Sequence, residues 1–202
     1  MFVHRYDSPD RFVAGTVGEP GERTFFLQAR EGNRITSVAC EKQQVSVLAE
    51  HLTRMLEEVA RRGMSEVDAG METAPHDNDP LDAPITEEFR VGTMTLAWEA
   101  VTERVVIEMF AATGDDLDPE AEGIDPEALA AVAEEVPVAE AAEPEASEVF
   151  VVRITPDDAR TFISRAEAIV SAGRPPCPFC AQPLEPEGHI CPRANGYRRP
   201  LF

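Results

Sequence analysis

An acidic segment at 114–148 constrains the architecture of this chain more than any other feature of its sequence. The segment contains thirteen Asp or Glu residues but no Lys, Arg or aromatic residue. A composition dominated by Ala, Glu, Asp and Pro buries too little apolar surface to offset the entropy lost on ordering. We therefore predict a disordered acidic insert here, with a spacer as the simplest role. The stretch 126–136 (PEALAAVAEEV) is also compatible with a transient helix that a partner selects.

Most of the negative charge of the chain belongs to this insert. The formal net charge of the 202 residues is −20, and 114–148 accounts for −13 of it, which leaves −7 for the remainder. An acidic surface repels phosphate backbones, so nucleic-acid binding is disfavoured. The sequence opens without the cationic and apolar pattern of a secretory leader, and no apolar run approaches the ~18 residues that span a bilayer. These observations predict a cytoplasmic protein that does not bind membranes.

The segments on either side of the insert predict an α+β fold. Two helical patterns follow groups of strands instead of alternating with single strands, which disfavours a doubly wound parallel sheet. We expect an antiparallel sheet of about six strands with two helices, followed by a C-terminal zinc knuckle. The expected strands cover 11–18, 23–30, 34–41, 87–100, 104–111 and 148–155.

Apolar residues spaced three and four apart mark both helices. The first helix follows Lys42 and ends near Gly63, a suitable cap. The second has Thr155 as N-cap and Pro156 at its first position, and it ends at Gly173. Core packing is a simpler interpretation of these stripes than a cofactor site. The stripes are Val45, Leu48, Leu52, Met55 and Val59 in the first helix, and Ala159, Phe162, Ile163, Ala166, Ile169 and Val170 in the second.

Alternation in the second expected strand predicts that one face of the sheet is buried and the other wet. This strand alternates Phe25, Leu27 and Ala29 with Phe26, Gln28 and Arg30.

Residues 63–84 are polar and punctuated by proline, which predicts a solvated acidic loop. We divide the chain into an α+β domain at 1–173, including that loop and the insert, and a zinc-knuckle tail at 174–202.

The tail contains a pattern of cysteine and histidine residues suited to a metal ion. Cys177 and Cys180 are separated by two residues, which lets one tight turn direct both thiolates at a single ion. His189 and Cys191 lie two apart, so their side chains point the same way from an extended backbone. Three sulfurs and one imidazole satisfy tetrahedral Zn²⁺. We therefore predict a structural zinc site formed by Cys177, Cys180, His189 and Cys191.

Two alternatives to zinc remain open, namely a thioredoxin-like redox pair and unligated thiols. A redox motif normally opens a helix after a strand, whereas Pro183 and Pro186 follow this one closely. Three Cys and one His fill all four positions around a tetrahedral ion, so a complete set makes the zinc structural. Catalysis at the metal requires that His189 is not a ligand. Cys40, at the end of an alternating strand, is interpreted as a core thiol.

Further candidate binding residues lie at both ends of the chain. Tyr197, Arg198 and Arg199 offer a stacking ring and two anion-binding groups beside an Asn-Gly turn. A phosphate, an RNA loop and the chain's own acidic insert are the ligands considered for them. The stretch 4–11 (HRYDSPDR) has groups able to bind a small anion, although a polar start to a strand is the simpler interpretation. Trp98 is expected to pack in a hairpin rather than to form a stacking platform.

Both ends of the chain resemble a known family. The opening MFVHRYDSPDRFVAGTVGEPGERTFFLQA, the hairpin after it and the ending CPFCAQPLEPEGHICPRANGYRR are similar to an uncharacterised family of actinobacterial proteins. The likeness covers nearly the whole chain apart from the insert, and the family carries a domain-of-unknown-function label. The resemblance implies a cytosolic bacterial protein and a CPxC…HxC ending shared by the family. It implies no activity.

Two classes of function are compatible with these features. The first is a cytosolic binding or regulatory module for a protein or small-molecule partner, with zinc holding the tail in shape. The second is an enzyme that acts on a small phosphorylated or nucleotide-like molecule with the open face of the sheet and nearby arginines. A cleft with convergent titratable residues favours the enzyme, and a flat sheet face favours the module. RNA binding through the tail ranks last, because the part outside the insert carries −7.

Overall fold

The computed structural model describes residues 1–19, 21–63, 77–113 and 146–172, together with Cys177, Phe179 and Cys191. Within these residues the chain forms seven strands and two helices. They are β1 (Phe2–Tyr6), β2 (Arg11–Val17), β3 (Thr24–Glu31), β4 (Arg34–Cys40), α1 (Lys42–Arg61), β5 (Glu87–Glu99), β6 (Arg104–Ala111), β7 (Glu148–Ile154) and α2 (Pro156–Ser171). Most of the predicted insert and tail therefore lies outside the described residues.

Both helices begin at side-chain hydrogen bonds that the local sequence encodes. At α2, the Thr155 hydroxyl accepts a hydrogen bond from the Asp158 N–H at 3.1 Å, and the Asp158 carboxylate accepts one from the Thr155 N–H at 3.2 Å. This reciprocal capping box confirms the predicted start of the helix. At α1, the Gln44 side chain accepts from the Glu41 N–H at 2.8 Å and donates to the Gly92 carbonyl at 2.8 Å. Gln44 thereby ties the start of α1 to β5.

The seven strands form one mixed sheet in the order β1-β7-β6-β5-β4-β3-β2. The β1–β7 and β4–β5 pairs are parallel, and the other pairs are antiparallel. The prediction of six antiparallel strands was wrong in both respects. The polar composition of 4–11 concealed β1, which pairs with β7 through its backbone. The parallel β4–β5 pair follows from the long connection through α1, since parallel neighbours require such a crossover.

The order of the strands requires the sheet to curl. β1 and β2 are consecutive in the chain but lie at opposite edges of the sheet. A flat seven-stranded sheet is about 29 Å wide, whereas the Cα steps from Tyr6 to Arg11 span at most about 18 Å. Side chains connect the two edge regions: Tyr6 Oη donates to Thr36 Oγ1 at 2.9 Å, and the ring centroids of Phe12 and Phe150 lie 6.4 Å apart. The sheet therefore has a concave inner face.

The inner face and the two helices enclose the main hydrophobic core. The ring of Phe12 in β2 stacks on Phe162 in α2, with centroids 4.9 Å apart. Because the apolar stripes of both helices face this core, their interpretation as packing residues is confirmed. The largest fully buried apolar side chains are Tyr6, Phe150, Phe162, Leu27, Leu52, Ile107, Met109 and Ile154.

The opposite, outer face of the sheet is also buried along β2, β3 and β4. Phe26 and Gln28, which were expected on a wet face, are only 7% and 1% exposed, so that prediction was wrong. Part of the cover is the segment 77–84, which has no helix or strand. Its Leu81 lies over Gly15, since a Cβ atom on that glycine would be 2.5 Å from Leu81. This part of the acidic loop is anchored to the sheet, while its residues 78–80, 83 and 84 are exposed to solvent.

Candidate functional site

Cys177 and Cys191, two of the four predicted zinc ligands, lie next to each other. Their Sγ atoms are 3.8 Å apart, and the residues are 5% and 7% exposed. This distance excludes a disulfide bond, in which the sulfurs are about 2.05 Å apart. Two thiolates bound at about 2.3 Å to one tetrahedral zinc ion lie about 3.8 Å from each other. The two described cysteines therefore fit the predicted metal.

The other binding residues predicted for the tail lie outside the described residues. They are Cys180, His189, Tyr197, Arg198 and Arg199. In the part of the chain that the structure describes, no three Cys, His, Asp or Glu side chains form a metal-binding group. Because this part contains only two of the four predicted ligands, the complete ligand set stays a prediction.

Cys40 belongs to the core and not to the tail. It ends β4 opposite Phe25 of β3 and is 2% exposed. Burial raises the pKa of its thiol to about 12, and the charge of Glu41 adds to this effect. A thiol with such a pKa is protonated at neutral pH and is a poor nucleophile and ligand. The prediction of a core thiol is confirmed.

A group of charged side chains joins β2, α2 and the segment 77–84. We call it the Arg11 cluster, and it consists of Arg11, Arg165, Asp77 and Asp82. Arg11 Nε and Nη2 donate to the two carboxylate oxygens of Asp77 at 2.6 and 2.8 Å. Arg165 Nη1 donates to the same carboxylate at 2.7 Å, and Arg11 Nη1 donates to Asp82 at 2.8 Å. The Arg11 and Arg165 side chains are 12% and 9% exposed, so water screens these ion pairs only weakly.

Every N–H group of Arg11 has a partner within the chain. Besides its bonds to the two carboxylates, Nη1 donates to the Pro80 carbonyl at 3.0 Å and Nη2 to the Asp79 carbonyl at 2.9 Å. These contacts use all five donors of the guanidinium group. An external anion at Arg11 would have to displace them. The geometry therefore does not support a small-anion site at Arg11, the last residue of the stretch 4–11.

The pairing of Arg11 with Asp77 favours the charged forms of both side chains. Hydrogen bonding from Arg11 lowers the pKa of Asp77 below its usual range, although burial opposes this effect. Hydrogen bonding to Asp77 raises the pKa of Arg11. Burial lowers the pKa of Arg165, and the charge of Asp77 partly offsets that change. The shifts of Arg11 and Asp77 move both pKa values away from neutral pH, so this pair supplies neither a proton donor nor a base there.

The remaining candidate side chains are in ordinary structural positions. His4 Nε2 lies 3.2 Å from Glu148 Oε2, where β1 and β7 begin side by side, and its ring contacts Phe2 edge-on. No spacing pattern in the sequence indicates this pair, because its members are 144 positions apart in the chain. Trp98 packs against the core from the β5–β6 hairpin, which confirms the packing interpretation.

Sequence reasoning missed the Arg11 cluster as well. Its residues come from β2, the acidic loop and α2, so no local pattern connects them. One signal was present in the loop. Leu81 is a large apolar residue among Asp and Pro residues, and such a side chain in a polar loop indicates an anchor to a neighbouring surface.

A groove of about 470 Å³ lies between α1 and α2. Ala49 and Ala166 contribute small buried side chains to it, and Glu57 and Glu167 are exposed along its sides. The lining contains no histidine, cysteine or aromatic residue. The serine, threonine and glutamate side chains of the lining therefore have no histidine or cysteine beside them, and histidine is the most common base for activating a hydroxyl near neutral pH.

These observations define an α+β protein with a curled mixed sheet, helices on its concave face and a buried cysteine pair near its C-terminus. The chain belongs to DUF3090, a family of proteins of unknown function, whose family model matches residues 4–191. The predicted membership of an uncharacterised family is thus confirmed. A search of curated proteins and a search of solved structures found no match to the chain. Neither of the described helices is long and apolar enough to cross a membrane.

Proposed function

We propose that this protein is a binding or regulatory module whose C-terminal segment is held by a structural zinc ion. The observation that carries the zinc site is the 3.8 Å distance between the buried Sγ atoms of Cys177 and Cys191. Residues far apart in the sequence come together at the separation that a shared tetrahedral ion requires. Cys180 and His189 complete the proposed ligand set.

The proposed ion acts as a cross-link. Three thiolates and one imidazole leave no coordination position for water, so the ion supplies folding energy to a short segment and no Lewis-acid chemistry. Burial of Cys177 and Cys191 keeps two of these sulfurs away from solvent. The segment that follows Cys191 contains Tyr197, Arg198 and Arg199, which we propose as contacts for a protein or small-molecule partner.

A binding role has more support than the alternative, an enzyme for a small phosphorylated or nucleotide-like substrate. That alternative needs titratable side chains that converge in a cleft and arginines that can take a phosphate. Arg11 instead has all of its donors engaged within the chain, and the described lining of the groove between the helices contains no histidine or cysteine. A cytoplasmic location remains a prediction from the sequence.

Metal content tests the zinc site. We expect elemental mass spectrometry of the purified chain to find one zinc per molecule, and Cys180→Ser and His189→Ala to lower this ratio sharply. Cys40→Ala is the matched control, because it removes a buried cysteine that belongs to the core. Circular dichroism of each variant establishes that the sheet is folded.

Two results would contradict the proposal. Protein without metal would remove the zinc site, and the cysteines would then be studied as redox thiols. Zinc that is retained in full by His189→Ala would indicate an open coordination position, which supports the enzyme alternative.

A further inference from the structure

The segment 77–84 lies on the outer face of the sheet in the way that a bound peptide would. It forms neither helix nor strand, and it is held by four side chains from β2, β3 and α2. These side chains are Arg11, Gln28, Arg30 and Arg165. The segment contains three Asp residues opposite three Arg residues, so the two surfaces match in charge.

Gln28 and Arg11 bind the backbone of this segment. The Gln28 carboxamide accepts a hydrogen bond from the Asp82 N–H at 2.8 Å and donates one to the Asp82 carbonyl at 3.0 Å. Gln28 Nε2 also donates to Ser37 Oγ at 2.9 Å, which fixes the amide in place. The Arg11 guanidinium donates hydrogen bonds to the carbonyl oxygens of Asp79 and Pro80. Hydrogen bonds to the backbone of this kind do not depend on which side chains the segment has.

Three side chains of the segment occupy defined positions. Asp77 binds Arg11 and Arg165 together, and Asp82 binds Arg11 at 2.8 Å. Between them Leu81 lies in the space above Gly15, which a Cβ atom would fill. In contrast, residues 78–80 are exposed. The sheet therefore selects the pattern Asp-x-x-x-Leu-Asp.

We propose that the outer face of β2 and β3 is a peptide-binding site for an acidic segment of a partner protein with the pattern Asp-x-x-x-Leu-Asp. Residues 77–84 occupy this site in the free chain, and the partner segment replaces them. The proposal specifies the partner chemistry of the binding function proposed above, and it does not depend on the zinc ion. Exchange of one acidic segment for another preserves the ion pairs of the two buried arginines, so neither is left without a carboxylate.

Because residues 77–84 already occupy the site, a test has to weaken their binding before a free peptide is added. A segment tethered beside its site competes at an effective concentration on the order of millimolar. A free peptide with the same contacts therefore binds weakly to the unaltered chain. Leu81→Ala weakens the internal competitor and leaves every receptor side chain in place.

The probe is a fluorescent peptide of residues 77–84, Asp-Asn-Asp-Pro-Leu-Asp-Ala-Pro, and the readout is fluorescence anisotropy. We expect the Leu81→Ala chain to bind it at least tenfold more tightly than the unaltered chain does. Thr95→Ala, on the outer face of β5, is the matched control and should bind like the unaltered chain. Adding Gly15→Ala to Leu81→Ala should abolish binding, because the new Cβ atom fills the space that the peptide leucine needs.

Two control peptides test the pattern. A peptide with alanine in place of Leu81 should bind at least tenfold more weakly. The peptide of residues 113–120, Thr-Gly-Asp-Asp-Leu-Asp-Pro-Glu, repeats Asp-x-Leu-Asp but has Thr113 in the place of Asp77. It should also bind at least tenfold more weakly, because it lacks the carboxylate that joins the two arginines.

The proposal is overturned if the folded Leu81→Ala chain shows no binding at millimolar peptide, or if either control peptide binds as tightly as the probe. Leu81→Val, a smaller truncation, replaces Leu81→Ala if circular dichroism shows that the latter is unfolded. Zinc content is measured on the same samples. Failure of the peptide site and failure of the zinc site are therefore separate results.

Discussion

The two halves of the outer sheet surface differ although they belong to one continuous sheet. In β5 and β6 exposure alternates, with Ile107 and Met109 fully buried on the inner face and Thr95 and Ala97 exposed on the outer face. In β2, β3 and β4 consecutive residues are buried on both faces. The segment 77–84 covers part of β2 and β3. Residues 149–152 of β7 are buried on both faces as well, so this segment accounts for only part of the buried outer surface. Where it does lie on the sheet, its Asp82 backbone supplies partners for the polar side chain of Gln28.

Among the substitutions that test this comparison, Asp77→Asn is expected to destabilise the protein most. The substitution removes the carboxylate shared by Arg11 and Arg165, which leaves Arg165 without its hydrogen-bonded carboxylate and Arg11 with that of Asp82 alone. We expect the free energy of unfolding to fall by about 3–5 kcal/mol, measured by chemical denaturation. Asp79→Asn is the matched control in the same segment, and it should cost less than about 1 kcal/mol. Equal effects at both positions would show that the Arg11 cluster does not anchor the segment.

The pH dependence of stability tests the same anchor. Because the pKa of Asp77 is lowered in the folded protein, its contribution is present above the unfolded value of 3.8 and is lost as the pH falls through the lower folded value. We expect the free energy of unfolding to decrease below about pH 4, and Asp77→Asn to have a shallower decrease. If Asp77→Asn loses stability at acid pH as steeply as the unaltered chain, carboxylates other than Asp77 cause the loss.

An intermediate effect is expected at the contact between Gly15 and Leu81. Gly15→Ala places a Cβ atom 2.5 Å from Leu81, so the leucine has to move. We expect a loss of about 1–3 kcal/mol in the free energy of unfolding. In the Leu81→Ala background the same substitution should cost much less, because the colliding side chain is gone. Additive effects in this double-mutant cycle would contradict the contact.

The smallest effect is expected on the open half of the sheet. Thr95 lies on the outer face of β5 and donates a hydrogen bond to Glu108 at 3.1 Å in an exposed position. Thr95→Ala should change the free energy of unfolding by less than about 0.5 kcal/mol, measured by thermal and chemical denaturation. A loss as large as that of Leu81→Ala would mean that both halves of the outer face are covered in the folded protein.

The local sequence determined the elements whose signals lie within a few residues of one another. The Thr155–Asp158 capping box starts α2 where it was expected, and the apolar stripes of both helices face the core. Six of the seven strands were placed from alternation and turn residues. The cysteine spacing of the tail predicts a shared ion; Cys177 and Cys191 lie 3.8 Å apart, and the ion itself stays a prediction.

Only the tertiary structure decided features that join distant residues. The pairing of β1 with β7 is made through backbone hydrogen bonds. The polar sequence of β1 therefore contains no pattern that predicts this pairing. The Arg11 cluster unites residues from positions 11, 77, 82 and 165, and the alternation of β3 gave no reason to expect cover over Gln28. A local sequence pattern indicates which side chains of one segment have to be buried. Which other segment covers them depends on packing and charge across the whole chain.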